Sequence, residues 1–304
     1  MPVPFVGDFI RNLQVEECLG NGQYGYAFLV REEDDPKNQK VLKMSVMRNS
    51  FQEKSWKREI RAMQSVQSVD DRGYFLKFDS NFQWADETDT FGCIVMSKGG
   101  VSLLDALRNK PSRRFCPPNV LKIGWSLAQA LRLLHSKGYY HRDLHENNIL
   151  IRNPIAPGAP VTIIDFGLSL RFKTRRGRRI FQMGHDINLK GTMHCSLNVE
   201  EGRAYKEIDD YESMFYSMLT ISNVNPFHGT RQQMYGQKKS FHLNPHFFIP
   251  STPWLLKIFE TIQAQTHALV FDADKILHAI EQSFPFDPEE KITYRIEEDN
   301  IIIF

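Results

Sequence analysis

The stretch from Tyr140 to Gly167 constrains the fold of this chain more than any other. Asp143 lies in a His-Arg-Asp-Leu sequence, and Asn148 follows it by five residues. Asp165 comes directly after the apolar run 161–164 and precedes Phe-Gly. Apolar runs separated by a turn rich in Pro and Gly predict a hairpin of two short strands. We therefore expect two acids and one amide at one end of this hairpin, an arrangement suited to metal and phosphate chemistry.

The length and composition are those of a globular protein with a large core. With 304 residues, 41% hydrophobic and 24% charged, we expect one large or two small lobes. No apolar run reaches the roughly 20 residues of a membrane span, and the N-terminus has no targeting pattern. Four scattered cysteines favour free thiols in a reducing compartment. We predict a location in the cytoplasm or nucleus and no membrane partner.

Positive charge is concentrated in residues 168–191, here called the basic segment. The whole chain carries a net charge of +2, but this segment has seven basic residues against one acid, Asp186. The basic residues are Arg171, Lys173, Arg175, Arg176, Arg178, Arg179 and Lys190. Such a patch favours acidic or phosphorylated partners through steering and charge-assisted contacts. A solvated loop and a nuclear-import patch are the alternatives.

A G-x-G-x-x-G pattern occupies residues 20–25. Dinucleotide-binding folds share this pattern but place a helix after the glycines. Here the aromatic and apolar run 26–30 follows, which predicts a strand. A strand-loop-strand cover over phosphates therefore fits better, since glycines let backbone N–H groups approach an anion. A plain glycine-rich hairpin is the alternative.

Lys43 lies inside an apolar run, where an ammonium group without a partner is costly. The residues 52–66 that follow predict a helix with one apolar face, and Glu59 lies on this helix next to that face. Glu59 is therefore the expected partner of Lys43.

Strands are predicted first and helices later, which indicates an α+β fold. Two more strands are expected in 75–96, and 97–100 then interrupts the pattern. A stripe at helical spacing predicts a helix ending at Gly138. Its members are Val120, Ile123, Leu127, Leu131 and Leu134. Further helices are expected around 211–219, 254–265 and 273–283, and the tail is either a docked strand or a loose end.

In this order the motifs resemble those of a eukaryotic protein kinase over about 15–284. Within kinases the chain is similar to the casein kinase 1 superfamily, including its tau-tubulin and vaccinia-related branches. That similarity rests on Gly191-Thr192, on Ser196-Leu197-Asn198 in place of Ala-Pro-Glu, and on Asp209-Asp210-Tyr211-Glu212-Ser213. The resemblance implies a bilobal kinase fold: an N-lobe of sheet plus one helix (1–96), a hinge (97–100), a mainly helical C-lobe (101–284) and a tail (285–304).

The resemblance also implies that ATP and Mg²⁺ bind, with Mn²⁺ as an alternative metal. Lys43 is implied to hold the α- and β-phosphates while Glu59 orients it. Asp165 and Asn148 are implied to bind metal ions, and Asp143 to accept the proton of the substrate hydroxyl. The other residues implied to contact the nucleotide are Gly20, Asn21, Gly22, Gln23, Tyr24, Gly25, Ala27, Val41, Met96, Ser97 and Gly99.

The chain departs from the family pattern at a few positions. His145 replaces a Lys that contacts the γ-phosphate, so we expect weak turnover that falls above the pKa of His145. His194 replaces an Arg that binds phosphate or acidic groups. Ala27 and Val41 exchange the usual Val and Ala, which conserves volume. The pairs His141/His145 and His242/His246 have no third ligand at a recognisable spacing, so zinc is not predicted.

These observations predict a monomeric serine/threonine kinase acting on protein substrates, favouring acidic or previously phosphorylated ones. A pseudokinase that binds nucleotide or acts as a scaffold is the main alternative, and His145 is its best support. Nucleic-acid binding through the basic segment is disfavoured because no motif of stacking aromatics accompanies it.

Overall fold

The computed structural model describes residues 4, 6–22, 25–110, 112–152, 158–174, 176–180, 189–268, 270–297 and 300–304. The chain forms two compact units. The first comprises Met1–Gly99 with Asp165–Leu168, and the second Gly100–Ile164 with Ser169–Phe304. The predicted lobe boundaries at 96–100 and 284 stay predictions. Among the described residues, no helix has the length and apolarity needed to cross a bilayer.

The first unit is an antiparallel sheet with one long helix. Its elements are β1 (Phe9–Ile10), β2 (Leu13–Gly22), β3 (Gly25–Glu32), β4 (Asp35–Val46), α1 (Ser50–Gln67), β5 (Phe78–Ala85) and β6 (Thr90–Ser97). The strand order is β1-β2-β3-β4-β6-β5, and each neighbouring pair is antiparallel. Alternate side chains enter the core of this unit, among them Phe28, Leu42 and Met44.

Helix α1 confirms the helix predicted at 52–66 and begins where the side chain of Asn49 caps it. Asn49 Oδ1 accepts hydrogen bonds of 3.0 Å from the backbone of Phe51 and Gln52. Trp56 fixes the helix to the sheet, since its indole N–H donates to the Cys93 carbonyl at 3.3 Å. The sheet backbone comes so close here that a Cβ at Gly92 would lie 2.7 Å from the indole ring.

The second unit is mainly helical. Its helices are α2 (Leu103–Arg108), α3 (Pro117–Ser136), α4 (Leu197–Glu200), α5 (Glu207–Ile221), α6 (Arg231–Leu243), α7 (Pro245–Phe248), α8 (Leu256–Gln265) and α9 (Ala273–Ser283). Its short strands are β7 (Val101–Ser102), β8 (Tyr139–Tyr140), β9 (Ile149–Ile151), β10 (Val161–Ile163), β11 (Leu170–Arg171), β12 (Tyr294–Glu297) and β13 (Asn300–Ile303). A sheet at the start and helices afterwards confirm the predicted α+β fold.

The predicted hairpin at the centre of the sequence is present as β9 and β10. The two strands pair antiparallel, with Ile149 opposite Ile163 and Ile151 opposite Val161. A single 3₁₀ turn, Glu146–Asn148, leads into β9. Helix α6 was missed in the sequence because it buries only Lys238 and Phe241, which is too few for an apolar stripe.

The tail is a docked hairpin. Strands β12 and β13 pair antiparallel, and Asn119 at the start of α3 donates to the main-chain oxygens of Thr293 (2.9 Å) and Phe304 (2.6 Å). Lys110 Nζ donates to the carbonyl of Ile303 at 2.8 Å. Of the two alternatives left open for the tail, the docked strand is correct.

Candidate active site

Lys43, Glu59 and Asp165 form an ion cluster in the first unit. Lys43 lies on β4, and its Nζ is 2.8 Å from both carboxylate oxygens of Glu59 on α1. The same Nζ lies 3.0 Å from Asp165 Oδ1. Glu59 is only 3% exposed, so the predicted partner of Lys43 is present and held away from water. Burial acts to lower the pKa of Lys43, but the carboxylates of Asp165 and Glu59 outweigh it and hold that pKa above its ordinary value.

Asp165 is displayed by a constrained backbone. Its φ of +64° lies in the left-handed region, which is uncommon for a residue other than glycine. The next residue, Phe166, is 1% exposed and packs against Phe75 at a ring-centroid distance of 5.7 Å. Ser55 on α1 donates to the Gly167 carbonyl at 2.9 Å. With its neighbours held in this way, the Asp165 side chain keeps 40% exposure, as a metal ligand needs.

One face of the sheet carries the residues predicted to line the adenine site. Ala27 is opposite Lys43 in the β3–β4 register, and Val41 is opposite Met96 in the β4–β6 register. Ala27, Val41 and Lys43 are half-buried, whereas Leu42, between Val41 and Lys43, is fully buried. Val41 and Lys43 therefore share the face turned away from the core of this unit.

The glycine-rich pattern forms the end of the β2–β3 hairpin, with Gly20 opposite Ala27 and Gly22 opposite Gly25. A Cβ at Gly20 would meet no atom within 4 Å, so space for a ligand exists there. A Cβ at Gly25 would lie 1.9 Å from the Met44 carbonyl oxygen. Gly25 thus also serves the close approach of β3 to β4. The predicted contacts of Gln23 and Tyr24 lie outside the described residues.

Asp210 anchors the loop that bears Asp143 in the second unit. Its carboxylate accepts backbone hydrogen bonds of 2.9 Å from both His141 and Arg142. It also contacts His135 Nε2 at 2.8 Å and accepts from the Tyr205 hydroxyl at 2.7 Å. Although burial acts to raise the pKa of Asp210, these partners hold it below its ordinary value. Arg142, with φ +71°, is kept in a strained backbone conformation next to this anchor.

Asp143 is surrounded by an amide and two imidazoles. Asn148 Nδ2 donates to the Asp143 carbonyl at 2.9 Å and to its Oδ2 at 3.2 Å. His194 Nε2 lies 3.2 Å, and His145 Nε2 3.8 Å, from Asp143 Oδ1. Burial acts to raise the pKa of Asp143, but His194, His145 and His141 hold it below its ordinary value. Asp143 is therefore an ionised carboxylate at neutral pH, as a general base must be.

Comparisons with known proteins identify the family. Residues 13–184 match the protein kinase domain. The chain belongs to the protein kinase family. It is 26% identical over 238 residues to a Caenorhabditis elegans protein named as a casein kinase I, a match covering 74% of this chain and 67% of that protein. The solved structure of vaccinia related kinase 3 superimposes with a TM-score of 0.76 at 15% identity, covering 96% of this chain and 95% of that one. The predicted casein kinase 1-like resemblance is confirmed.

The oxygen donors of this kinase fit the Mg²⁺ that its family uses. Asp165 in the first unit offers a carboxylate that is partly exposed. In the second unit, Asn148 directs its amide nitrogen to Asp143, so its amide oxygen points away from that residue. Carboxylate and amide oxygens are ligands that Mg²⁺ accepts. The metal-binding roles of both residues stay predictions.

The structure of this kinase places His194 beside Asp143, a contact that the sequence analysis did not predict. Ser213 on α5 donates to the His194 carbonyl at 2.7 Å, which holds the segment in position. The His194 and His145 rings lie 4.7 Å apart, centroid to centroid. The only sequence signal was that both residues replace basic ones of the family pattern. Of the histidine pairs for which zinc was not predicted, His141 Nε2 contacts the Ile164 carbonyl at 3.0 Å and His242 Nε2 contacts Glu212 Oε1 at 3.1 Å.

Part of the positive charge of the basic segment is paired with an acidic residue of the same protein. Arg179 contacts Glu207 at 2.5 Å and lies over the Phe172 ring. Arg176 and Arg178 are exposed and can meet an acidic partner. Arg175 and Asp186 lie outside the described residues.

Proposed function

We propose that this chain is a serine/threonine protein kinase that transfers the γ-phosphate of ATP to protein hydroxyls. The observation that carries the proposal is the cluster of Lys43, Glu59 and Asp165. A buried glutamate holding an ammonium beside an exposed carboxylate prepares one cation for phosphate oxygens and one anion for a metal. A protein that only acts as a scaffold has no need of this arrangement.

The chain's own groups divide the work of positioning and charge neutralisation. Lys43 binds the α- and β-phosphate oxygens, and Glu59 fixes its orientation. Asp165 would hold one Mg²⁺ ion and Asn148 a second, with Mn²⁺ as the alternative, and such ions would supply positive charge to offset that of the phosphates. Asp143 orients the substrate hydroxyl and takes its proton.

The experiment is a phosphate-incorporation assay on casein and on an acidic serine peptide with Mg²⁺-ATP. Asp143→Asn and Asp165→Ala should each abolish incorporation, whereas Glu260→Gln on the exposed face of α8 should leave it intact. Equal incorporation by the wild type and Asp143→Asn would overturn the assignment of the base.

A pseudokinase is the second candidate, and the state of His145 favours it. Burial and the neighbouring His194 lower the pKa of His145, so its imidazole is neutral at pH 7 and puts no cation at the position where the family carries Lys. In this case Mg²⁺-ATP would raise the melting temperature of the wild type while no phosphate reached any substrate. Transfer above the Asp143→Asn background excludes this alternative.

The proposed substrates are acidic or already phosphorylated proteins. We propose that the kinase acts on them as a monomer in the cytoplasm or nucleus. The exposed charges of Arg176 and Arg178 support this preference. The double variant Arg176→Gln/Arg178→Gln should raise KM for an acidic peptide and leave KM for a neutral peptide unchanged. Equal effects on both peptides would contradict the preference.

A further inference from the structure

We propose that Asp143, His145 and His194 form a zinc-binding site in the second unit, and that zinc bound there inhibits the kinase. These three side chains each direct one ligand atom to a common point, with all three atoms within 4.8 Å of one another. The inhibitory part rests on the proposed function, because it requires Asp143 to be the base. Binding of the ion does not.

The distances suit a small ion after a modest contraction. Zinc binds imidazole nitrogen and carboxylate oxygen at roughly 2.0–2.2 Å, which places tetrahedral donors about 3.3 Å apart. His194 Nε2 is already 3.2 Å, and His145 Nε2 3.8 Å, from Asp143 Oδ1. Small side-chain rotations bring the two imidazole nitrogens to the same spacing.

The donor set selects zinc over magnesium. Two imidazoles and one carboxylate are the ligands of zinc sites that keep one position open, whereas Mg²⁺ prefers oxygen donors and retains water. The Asn148 amide, whose nitrogen lies 3.2 Å from His145 Nε2, borders the fourth position.

Charge and access also favour a cation. The family carries Lys and Arg where this chain has His145 and His194, so the substitutions remove two positive charges and supply two nitrogen donors. Among the three proposed ligands, the formal charge is then that of the Asp143 carboxylate, which attracts a cation. The three side chains keep between 20% and 24% exposure. A cavity of about 230 Å³, lined by His145, His194, Tyr216 and Phe227 among others, gives the ion a path.

Zinc binding must displace two long contacts of His145. Its Nδ1 accepts from the Asn147 backbone at 3.3 Å, and its Nε2 faces the Asn148 amide. A neutral imidazole that binds zinc through Nε2 carries its proton on Nδ1, so the first contact is lost. Both contacts are long and therefore weak, and the 3.2 Å contact between His194 Nε2 and Asp143 Oδ1 must also give way to the ion.

Zinc bound at this site would stop phosphate transfer because it would bind the proposed base, Asp143. Zinc bound to Asp143 Oδ1 would draw electron density from the carboxylate and so lower its basicity towards the substrate hydroxyl. Zinc would then lower kcat in the presence of saturating Mg²⁺-ATP, because the two metals use different residues.

The test is a titration of the metal-free protein with Zn²⁺ by calorimetry, with excess Mg²⁺ present. The wild type should bind one ion, and His194→Gln and His145→Gln should each raise Kd by roughly 10- to 100-fold or more. His246→Gln, an exposed histidine outside the cluster, is the matched control and should bind like the wild type. Bound Co²⁺ should give visible d–d bands that disappear in His194→Gln, without the thiolate charge-transfer band that the free cysteines would cause.

Equal zinc affinity in the wild type and His194→Gln would overturn the site, and so would a cobalt–thiolate band. Circular dichroism shows whether each variant is folded, and His194→Gln decides the matter if His145→Gln is not. The two proposals fail separately. Zinc binding without any transfer would refute the kinase assignment and keep the site, whereas transfer that ignores zinc in a chain that binds it would refute the inhibition.

Discussion

Each unit contains a cluster of polar side chains, and the two clusters surround charge with different groups. The first cluster is Lys43, Glu59 and Asp165. The second is Asp143, His145 and His194. In the first unit, opposite formal charges are in direct contact: one ammonium lies between the carboxylates of Glu59 and Asp165. In the second, the Asp143 carboxylate is surrounded by an amide and imidazoles. The ammonium of Lys43 keeps its charge at any pH near neutrality, because Asp165 and Glu59 outweigh burial and hold its pKa above the ordinary value, whereas burial raises the pKa of Glu59. The second cluster contains imidazoles, which titrate near neutral pH, and the proposed zinc ligands, so we expect the control of activity to lie there.

The largest effect is expected from removing the cation of the first cluster. Lys43→Ala should lower kcat/KM by roughly 10²- to 10³-fold, the scale of losing one preorganised charge. Lys40→Ala is the matched control, because Lys40 on the same strand also bridges two carboxylates, Glu32 at 2.9 Å and Asp79 at 3.0 Å. Steady-state kinetics with varied ATP measures both. Similar losses in the two variants would mean that Lys43 is only structural.

The second cluster depends on Asp210, and its loss should be a loss of stability. Asp210→Ala leaves the His141 and Arg142 backbone N–H groups and His135 without their shared carboxylate, so the free energy of unfolding should fall by roughly 3–5 kcal/mol. Urea denaturation measures this, and Glu260→Ala on the exposed face of α8 should change it by no more than about 0.5 kcal/mol. A small change at Asp210 would show that the loop is held by other contacts.

The same carboxylate predicts how the stability of the second unit varies with pH. The folded-state pKa of Asp210 is depressed, so its contribution is present above the unfolded pKa of about 3.9 and disappears as pH falls through the folded value. Stability should therefore decline below about pH 4 in the wild type and decline less steeply in Asp210→Asn. Parallel curves for both proteins would contradict this linkage.

A moderate effect is expected from adding a cation to the second cluster, so that it resembles the first. His145→Lys restores a cation, and one charge-assisted contact corresponds to about a tenfold rise in kcat. The wild type should lose activity as pH rises through a His145 pKa below 6.5, and the lysine variant should not. A wild-type kcat that falls nowhere as pH rises towards 6.5 would remove His145 from the reaction.

The smallest effect concerns the half-buried face of the first unit. Ala27→Val adds volume beside Lys43 and should weaken ATP binding by about 1–2 kcal/mol, the usual scale of overpacking. Ala27→Val/Val41→Ala restores the volume and should recover most of the affinity. Isothermal titration with an ATP analogue compares the two. Unchanged affinity in the single variant would mean that Ala27 does not line the nucleotide site.

Much of the fold and of the first cluster could be predicted because the signals are local. Helical spacing identified α1 and α3, and an ammonium in an apolar run required a carboxylate, which Glu59 supplied. Asp210 was harder to interpret. An acid near the start of a helix suits the helix dipole, and nothing local reveals its contacts with His135, His141 and Arg142, which lie in distant segments.

The sequence by itself determined which groups can do chemistry, because residue type sets charge, donor atoms and backbone freedom. Asp143, Asn148 and Asp165 could be identified in this way from one stretch of chain. Only the tertiary structure decided that His194 joins Asp143 and His145. Ser213 on α5 holds the backbone of His194 in place, and no local pattern encodes the packing of one segment against another. The same packing turned two isolated substitutions into one cluster with the donors of a metal site.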